Sequence, residues 1–228
     1  MSDPYLYEGT SVLKNKLGIR QQEKLDLVES EASRGRMLRL YKRGFQNFSP
    51  AGLREIHREL FQDIYEWAGE YRIINMHKRE EVLGGVSVWY SNDAAIPQDL
   101  EKAFQNLNSH EWRKDSREMF VKNLTRLFPP IWKVHPFREG NTRTTVMMIT
   151  FFVEYHGYQI DRQLLAQHAR YVRDAFVMAS LEKFSEHEHL ERILKDAVKG
   201  GAERISQKEE KKNMPKKKRC KQRGEAER

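Results

Sequence analysis

Cysteine is almost absent: the 228-residue chain carries one, Cys220, so neither an internal disulfide nor a cysteine-rich zinc centre can hold the fold. Long apolar runs are missing as well. Nothing approaches the roughly 20 apolar residues that span a bilayer, and the opening stretch MSDPYLYEGTSVLKNKLG has no hydrophobic segment leading to a small-residue cleavage site. These absences predict a cytoplasmic chain without a membrane span, held together by packing alone. No internal repeat is present, which excludes a helical solenoid. Strand-like segments are scarce, being confined to one region between Tyr71 and Ser91.

The length suits one domain with an appendage. The formal charge of +8 points towards nucleic acid only if the charge sits on the domain. Much of the excess instead belongs to the end of the chain, KEEKKNMPKKKRCKQRGEAER from Lys208, which lacks apolar residues and is expected to be disordered. Nucleic-acid binding therefore rests on the tail alone and is not the expected function. The string PKKKRCK is open to three readings: a nuclear localisation signal, an anion-binding arm, or a secretion signal of a translocated effector.

Periodicity predicts a mainly α bundle. An arm anchored by Tyr5, Tyr7, Val12 and Leu13 leads to a charged helix from Gln22 to about Arg43. Its apolar stripe of Leu25, Val28, Met37, Leu38 and Tyr41 is weak in the middle, where Ser30, Ala32 and Ser33 fall. Ser49-Pro50 signals a second helix start, and Leu53, Ile56, Leu60, Phe61, Ile64 and Trp67 give it one buried face as far as Gly69. RIINM and VSVWYS, around Gly84 and Gly85, predict a β-hairpin flap at about 72–91. Further helices follow at Ile96 to Leu107 and, after a start near Asp115 and Ser116, through Met119, Phe120, Leu124 and Leu127, after which Pro129 and Pro130 are expected to disturb the path.

The segment from Thr142 to His156 is apolar on nearly every face and is expected to be the central buried helix. One helix capped by Asp161 and another from Glu186 to Val198 complete the bundle. The resulting division is 1–48 for the arm and first helix, 49–199 for the domain that would carry function, and 200–228 for the tail.

Chemistry concentrates in HPFREGNTR, at 135–143. His135 can serve as a general base near neutral pH, and Glu139 offers an oxygen ligand to Mg²⁺. Gly140 and Asn141 stand where the central helix begins, so free amides and the helix dipole favour a phosphate there. Arg143 adds a guanidinium that can grip phosphate with two bonds. In the flap, Lys78, with Gly84 and Gly85 at the turn, could meet phosphate or a target, against the plainer reading of a solvated hairpin tip. His187 and His189 are two apart on a helix and diverge, so a solvated helix start is preferred to a metal site.

The segment resembles the signature of the Fic family, H-x-F-x-[D/E]-G-N-G-R-x-x-R, which includes protein adenylyltransferases. LFQDIYEWAGEYR resembles the family's helix before its flap, so the likeness covers about Leu53 to Phe184. It implies a Fic-like bundle that transfers AMP from Mg²⁺-bound ATP to a Tyr, Ser or Thr hydroxyl of a target protein. His135 would be the base, Glu139 would hold the metal, and Gly140, Asn141, Thr142 and Arg143 would line the phosphate site. Phe137 would be a core anchor, and the target would lie along the flap as an added strand.

Two departures stand out. Thr142 replaces a glycine, its hydroxyl being free to act as a ligand or a cap, and Val146 replaces the second arginine. In the family that arginine pairs with a restraining glutamate on an [S/T]-x-x-x-E-[G/N] helix; here the spacing is met by Ser206 to Glu210, followed by Lys211. A separate inhibitory, antitoxin-like protein is a further partner class. The rival readings are a Fic-derived docking module with little catalysis, and phosphate transfer from a reversed nucleotide.

Overall fold

The computed structural model describes residues 3–181 and 185–200. Its elements run α1 (Gln22–Arg43), α2 (Pro50–Phe61), β1 (His77–Glu80), β2 (Val86–Trp89), α3 (Ile96–Ser109), α4 (Arg117–Val134), α5 (Asn141–Tyr155), β3 (Gln159–Ile160), α6 (Arg162–Gln167), α7 (Ala169–Ala179), α8 (Glu188–Ala197) and β4 (Val198–Lys199). The mainly α fold with one flap is as expected. The basic tail, the PKKKRCK string and the Ser206 to Glu210 stretch lie outside the described residues.

α5 is the hub, packed against α2 and α4. Met147, Met148, Ile149, Phe151, Phe152 and Val153 are all buried on it, each such side chain stabilising the fold by about 1.5 to 3 kcal/mol. Helix starts follow their caps. Ser49 Oγ accepts from Gly52 N at 3.1 Å, Ser116 Oγ from Met119 N at 3.2 Å, and Asp161 Oδ1 from Leu164 N at 3.0 Å.

Several expectations need correction. α2 stops at Phe61 rather than continuing to Gly69. The chain turns back so that Gly69 N donates to His57 Nδ1 at 2.8 Å, and Ile64 and Trp67 reach the core from turns. On α1, Leu38 is exposed while Leu40 is buried. The strands of the flap are HKRE and VSVW, paired Lys78 to Val88 and Arg79 to Ser87; RIINM is not a strand. The helix expected after Asp161 breaks at His168 into α6 and α7, and β3 pairs with β4 in a second small sheet.

Pro129 and Pro130 do not interrupt α4. A proline at 129 leaves the carbonyl of Thr125 without its helical donor, and His187 Nδ1 lies 2.8 Å from that oxygen. His187 is therefore half-buried and structural rather than a solvated helix start.

The flap alone is too small to be stable, since a two-stranded hairpin is marginal in water. Arg72 anchors it. Its guanidinium is 2 % exposed and donates to backbone carbonyls of Ile74 and Ser91 at 2.5 Å each, His135 at 2.8 Å and Val134 at 3.4 Å. Glu80, also buried, pairs with Arg173 of α7 at 2.6 Å. Arg72→Met should cost about 3 to 5 kcal/mol in urea unfolding, because it strips donors from a buried network. Amide exchange in the flap should rise more than in α5. Equal loss of protection in both elements would contradict this anchoring role.

Candidate active site

A cavity of about 580 Å³ opens between α1, α5, α6, α7 and the flap. His135, Glu139, Gly140, Asn141, Thr142, Arg143 and Lys78 all line it. Gly84 and Gly85 do not; they form the flap's turn, with φ of +64° and +87° and open space around each.

His135 ends α4 in the left-handed region, at φ 51°, the one non-glycine there among the described residues. Arg72 holds its carbonyl, and Tyr90 stacks on its ring at 3.8 Å. Nδ1 is buried with no hydrogen-bond partner among the described residues. Stacking and backbone, not a carboxylate, therefore orient this imidazole. Burial holds its pKa well below the ordinary value, with Lys78, Arg72 and Arg173 adding in the same direction. The ring is neutral at physiological pH, the state a base requires.

The turn after His135 is fixed from three sides. Asn141 Oδ1 accepts from Phe137 N at 2.9 Å and its Nδ2 donates to Phe137 O at 2.8 Å. That side chain is spent on closing the turn, leaving its backbone amide as the group available to an anion. Gly140 has φ +78°, and a Cβ there would lie 2.4 Å from the Phe61 ring, so glycine is required. His57, missed in the sequence, places Nε2 3.1 Å from the carbonyl of Glu139 and stacks on Phe137 at 3.8 Å. Its Nδ1 accepts from Gly69, so Nε2 carries the proton. Burial lowers its pKa to about 3. Its position on the buried face of α2, one residue after Ile56, was the available signal.

Glu139 is the one carboxylate among the described residues lining the cavity. One of its oxygens accepts from Gly140 N at 2.9 Å, leaving the other for a ligand. A single carboxylate beside phosphates is the donor set that Mg²⁺ accepts, so the residues present fit that ion. Arg143 is not free, as it donates to Glu29 at 3.2 Å and Ser33 Oγ at 3.0 Å and lies over Phe61. Thr142 Oγ1 accepts from the Trp132 indole at 2.9 Å. Val146 is half-buried and faces the cavity.

The middle of α1, weak in apolar residues, also faces this space: Ser30, Ser33, Arg34, Met37 and Tyr41 line it. Ser30 to Gly35 meets the spacing [S/T]-x-x-x-E-[G/N] with Arg34 in place of the glutamate, a match that reading for glutamate alone passes over.

A neutral buried histidine, an anion-binding helix start and one carboxylate on a common cavity define a phosphoryl-group or nucleotidyl-group transferase site. Residues 47–153 match the model of the Fic/DOC family. The chain is 35 % identical over 167 residues to "Probable protein adenylyltransferase y4lH" of Sinorhizobium fredii, covering 72 % of this chain and 82 % of that protein. It is 30 % identical over 171 residues to "Probable protein adenylyltransferase Fic" of Escherichia coli, covering 73 % and 80 %. Among solved structures, the N-terminal Fic domain of a VirB-translocated effector from Bartonella quintana, with bound ADP, superposes with a TM-score of 0.73 at 25 % identity, over 89 % of this chain and 97 % of that one. The chain belongs to the Fic/DOC family.

Two outcomes test this geometry. Thr142→Gly, although it restores the family's residue, should cost about 1 to 3 kcal/mol in chemical denaturation, because the buried indole N–H loses its acceptor. The ring resonances of His135 should not titrate between pH 8 and 6 in NMR spectra; a midpoint at or above the ordinary value of about 6.5 would refute the burial argument.

Proposed function

We infer that the chain is a protein adenylyltransferase that moves AMP from ATP to a hydroxyl of a target protein. The observation that carries this is the open cavity on which neutral His135, the amides at the start of α5 and Glu139 converge. A docking module would have no need of such a cavity, and a filled one would have supported that reading.

In the reaction the target hydroxyl attacks the α-phosphorus while the bond to the bridging oxygen breaks and pyrophosphate departs. His135 takes the hydroxyl proton through Nε2, the ring nitrogen not sequestered in the interior. The backbone amide of Asn141 lies where charge develops on the phosphate, and the turn that presents it is already rigid, whereas the Gly140 amide is held by Glu139. Glu139 would hold Mg²⁺, which supplies neutralisation of phosphate charge when bound. The target would add to the flap as an extended segment, so that main-chain bonds set the register of its hydroxyl. Exposed Val86 and Trp89 on β2 offer it apolar contact.

With arginine at 34 and valine at 146, the restraining pair of the family pattern cannot form between α1 and α5. Any restraint would come from a separate, antitoxin-like protein. No helix among the described residues is long and apolar enough to cross a membrane, and delivery as a translocated effector, as named for the Bartonella quintana relative, belongs to the same proposal.

The chain incubated with Mg·ATP and cell lysate should add one AMP to a target, read by intact mass. His135→Ala should abolish the gain while keeping the melting temperature close to that of the parent. Full transfer by that variant would remove the mechanism, and a gain of one phosphate would reassign the reaction to the reversed nucleotide.

A further inference from the structure

Six cationic side chains line the cavity: Arg34, Lys78, Arg143, Arg162, Arg170 and Arg173. Four of them already face carboxylates. Arg143 pairs with Glu29 at 3.2 Å, Arg170 with Glu81 at 2.9 Å and Arg173 with Glu80 at 2.6 Å, and Arg162 bonds Glu154. Arg34 and Lys78 have no ion pair among the described residues. Lys78 belongs to the His135 side, where its charge acts on the imidazole. Arg34 belongs to the wall that α1 forms. Its neighbour Ser33 bonds Arg143 directly, and Val146, one turn further along α5, lines the same space.

A nucleoside triphosphate brings more negative charge than one amide turn and a half-neutralised Arg143 can balance. The phosphates beyond the transferred one need a cation on the side away from His135, and α5 offers only the methyl groups of Val146 there. We propose that Arg34 fills this role: it is the contact for the β- and γ-phosphates, reaching across from α1 in place of a guanidinium at position 146. The inference rests on the nucleotide reading of the site and adds to it the residue that distinguishes ATP from AMP. It also gives the polar middle of α1 a function, since Ser30, Ser33 and the unpaired Arg34 line the same cavity as the start of α5.

Calorimetric titration with Mg²⁺ and a non-hydrolysable ATP analogue, ADP or AMP tests the assignment. Arg34 is exposed on a helix, and alanine favours helix, so Arg34→Ala should keep its fold. It should bind the ATP analogue about ten-fold to a hundred-fold more weakly, the range of one hydrogen bond to a charged group, and bind AMP as the parent does. Arg34→Lys should recover part of the loss, and adding Val146→Arg to Arg34→Ala should recover more. Unchanged affinity of Arg34→Ala for the ATP analogue would overturn the proposal, as would an equal loss for AMP, which would place Arg34 on the nucleoside. Failure of the unmodified chain to bind any of the three nucleotides would instead overturn the reading of the site itself.

Discussion

The guanidinium of Arg72 sits in the interior with four backbone carbonyls around it, and the working parts of the molecule are tied through it. Burying a charge without full compensation costs several kcal/mol; charge-assisted hydrogen bonds offset that cost only when the acceptors are already in place. Two of the four acceptors, Ile74 and Ser91, are the feet of the flap, and the other two, Val134 and His135, are the end of α4. One side chain thus makes the position of the His135 imidazole and the position of the flap strands a single geometric fact. A flap hinged elsewhere could be stable, but it would not be registered against the imidazole.

The same economy of fixing groups by backbone contact governs the turn from His135 to Asn141. Asn141 closes it from within, His57 holds Glu139 from α2, and Phe61 presses on Gly140 from the same helix. Three constraints from two elements leave the amides at the start of α5 little freedom, so an anion placed there would meet donors that need no rearrangement. The lowered basicity of His135 follows from this packing, because the burial that fixes the ring also excludes the water that would favour its charged form.

Features that depend on nearest neighbours along the chain were legible in the sequence: the bounds of α1, the caps at Ser49 and Asp161, the all-apolar α5 and the motif itself. Features decided by distant partners were not. HKRE forms a strand although RIINM has the greater β propensity, because Arg72 is drawn inward and Glu80 finds Arg173. Where α4 passes through Pro129, His187, more than fifty residues later, faces the carbonyl that the proline leaves free. The polar middle of α1 reads as a weak core stripe until the cavity beside it is seen. His57 was hidden among apolar neighbours, since a buried histidine and a buried leucine fit the same helical period.

The two departures from the family pattern lead to a general point about motifs. A signature records which residue stands at a position, whereas the chemistry depends on which groups a cavity presents. Thr142 adds a hydroxyl where the pattern has none, and the Trp132 indole uses it, so the residue belongs to the core's hydrogen bonding as much as to the phosphate path. Val146 removes a charge, and Arg34 brings one to the same space from another helix. A guanidinium is long enough to act from either wall, and its field does not record the element that carries it. The constraint that survives such exchange is the balance of charge around the cavity, to which the neutral imidazole and the unpaired Arg34 both belong.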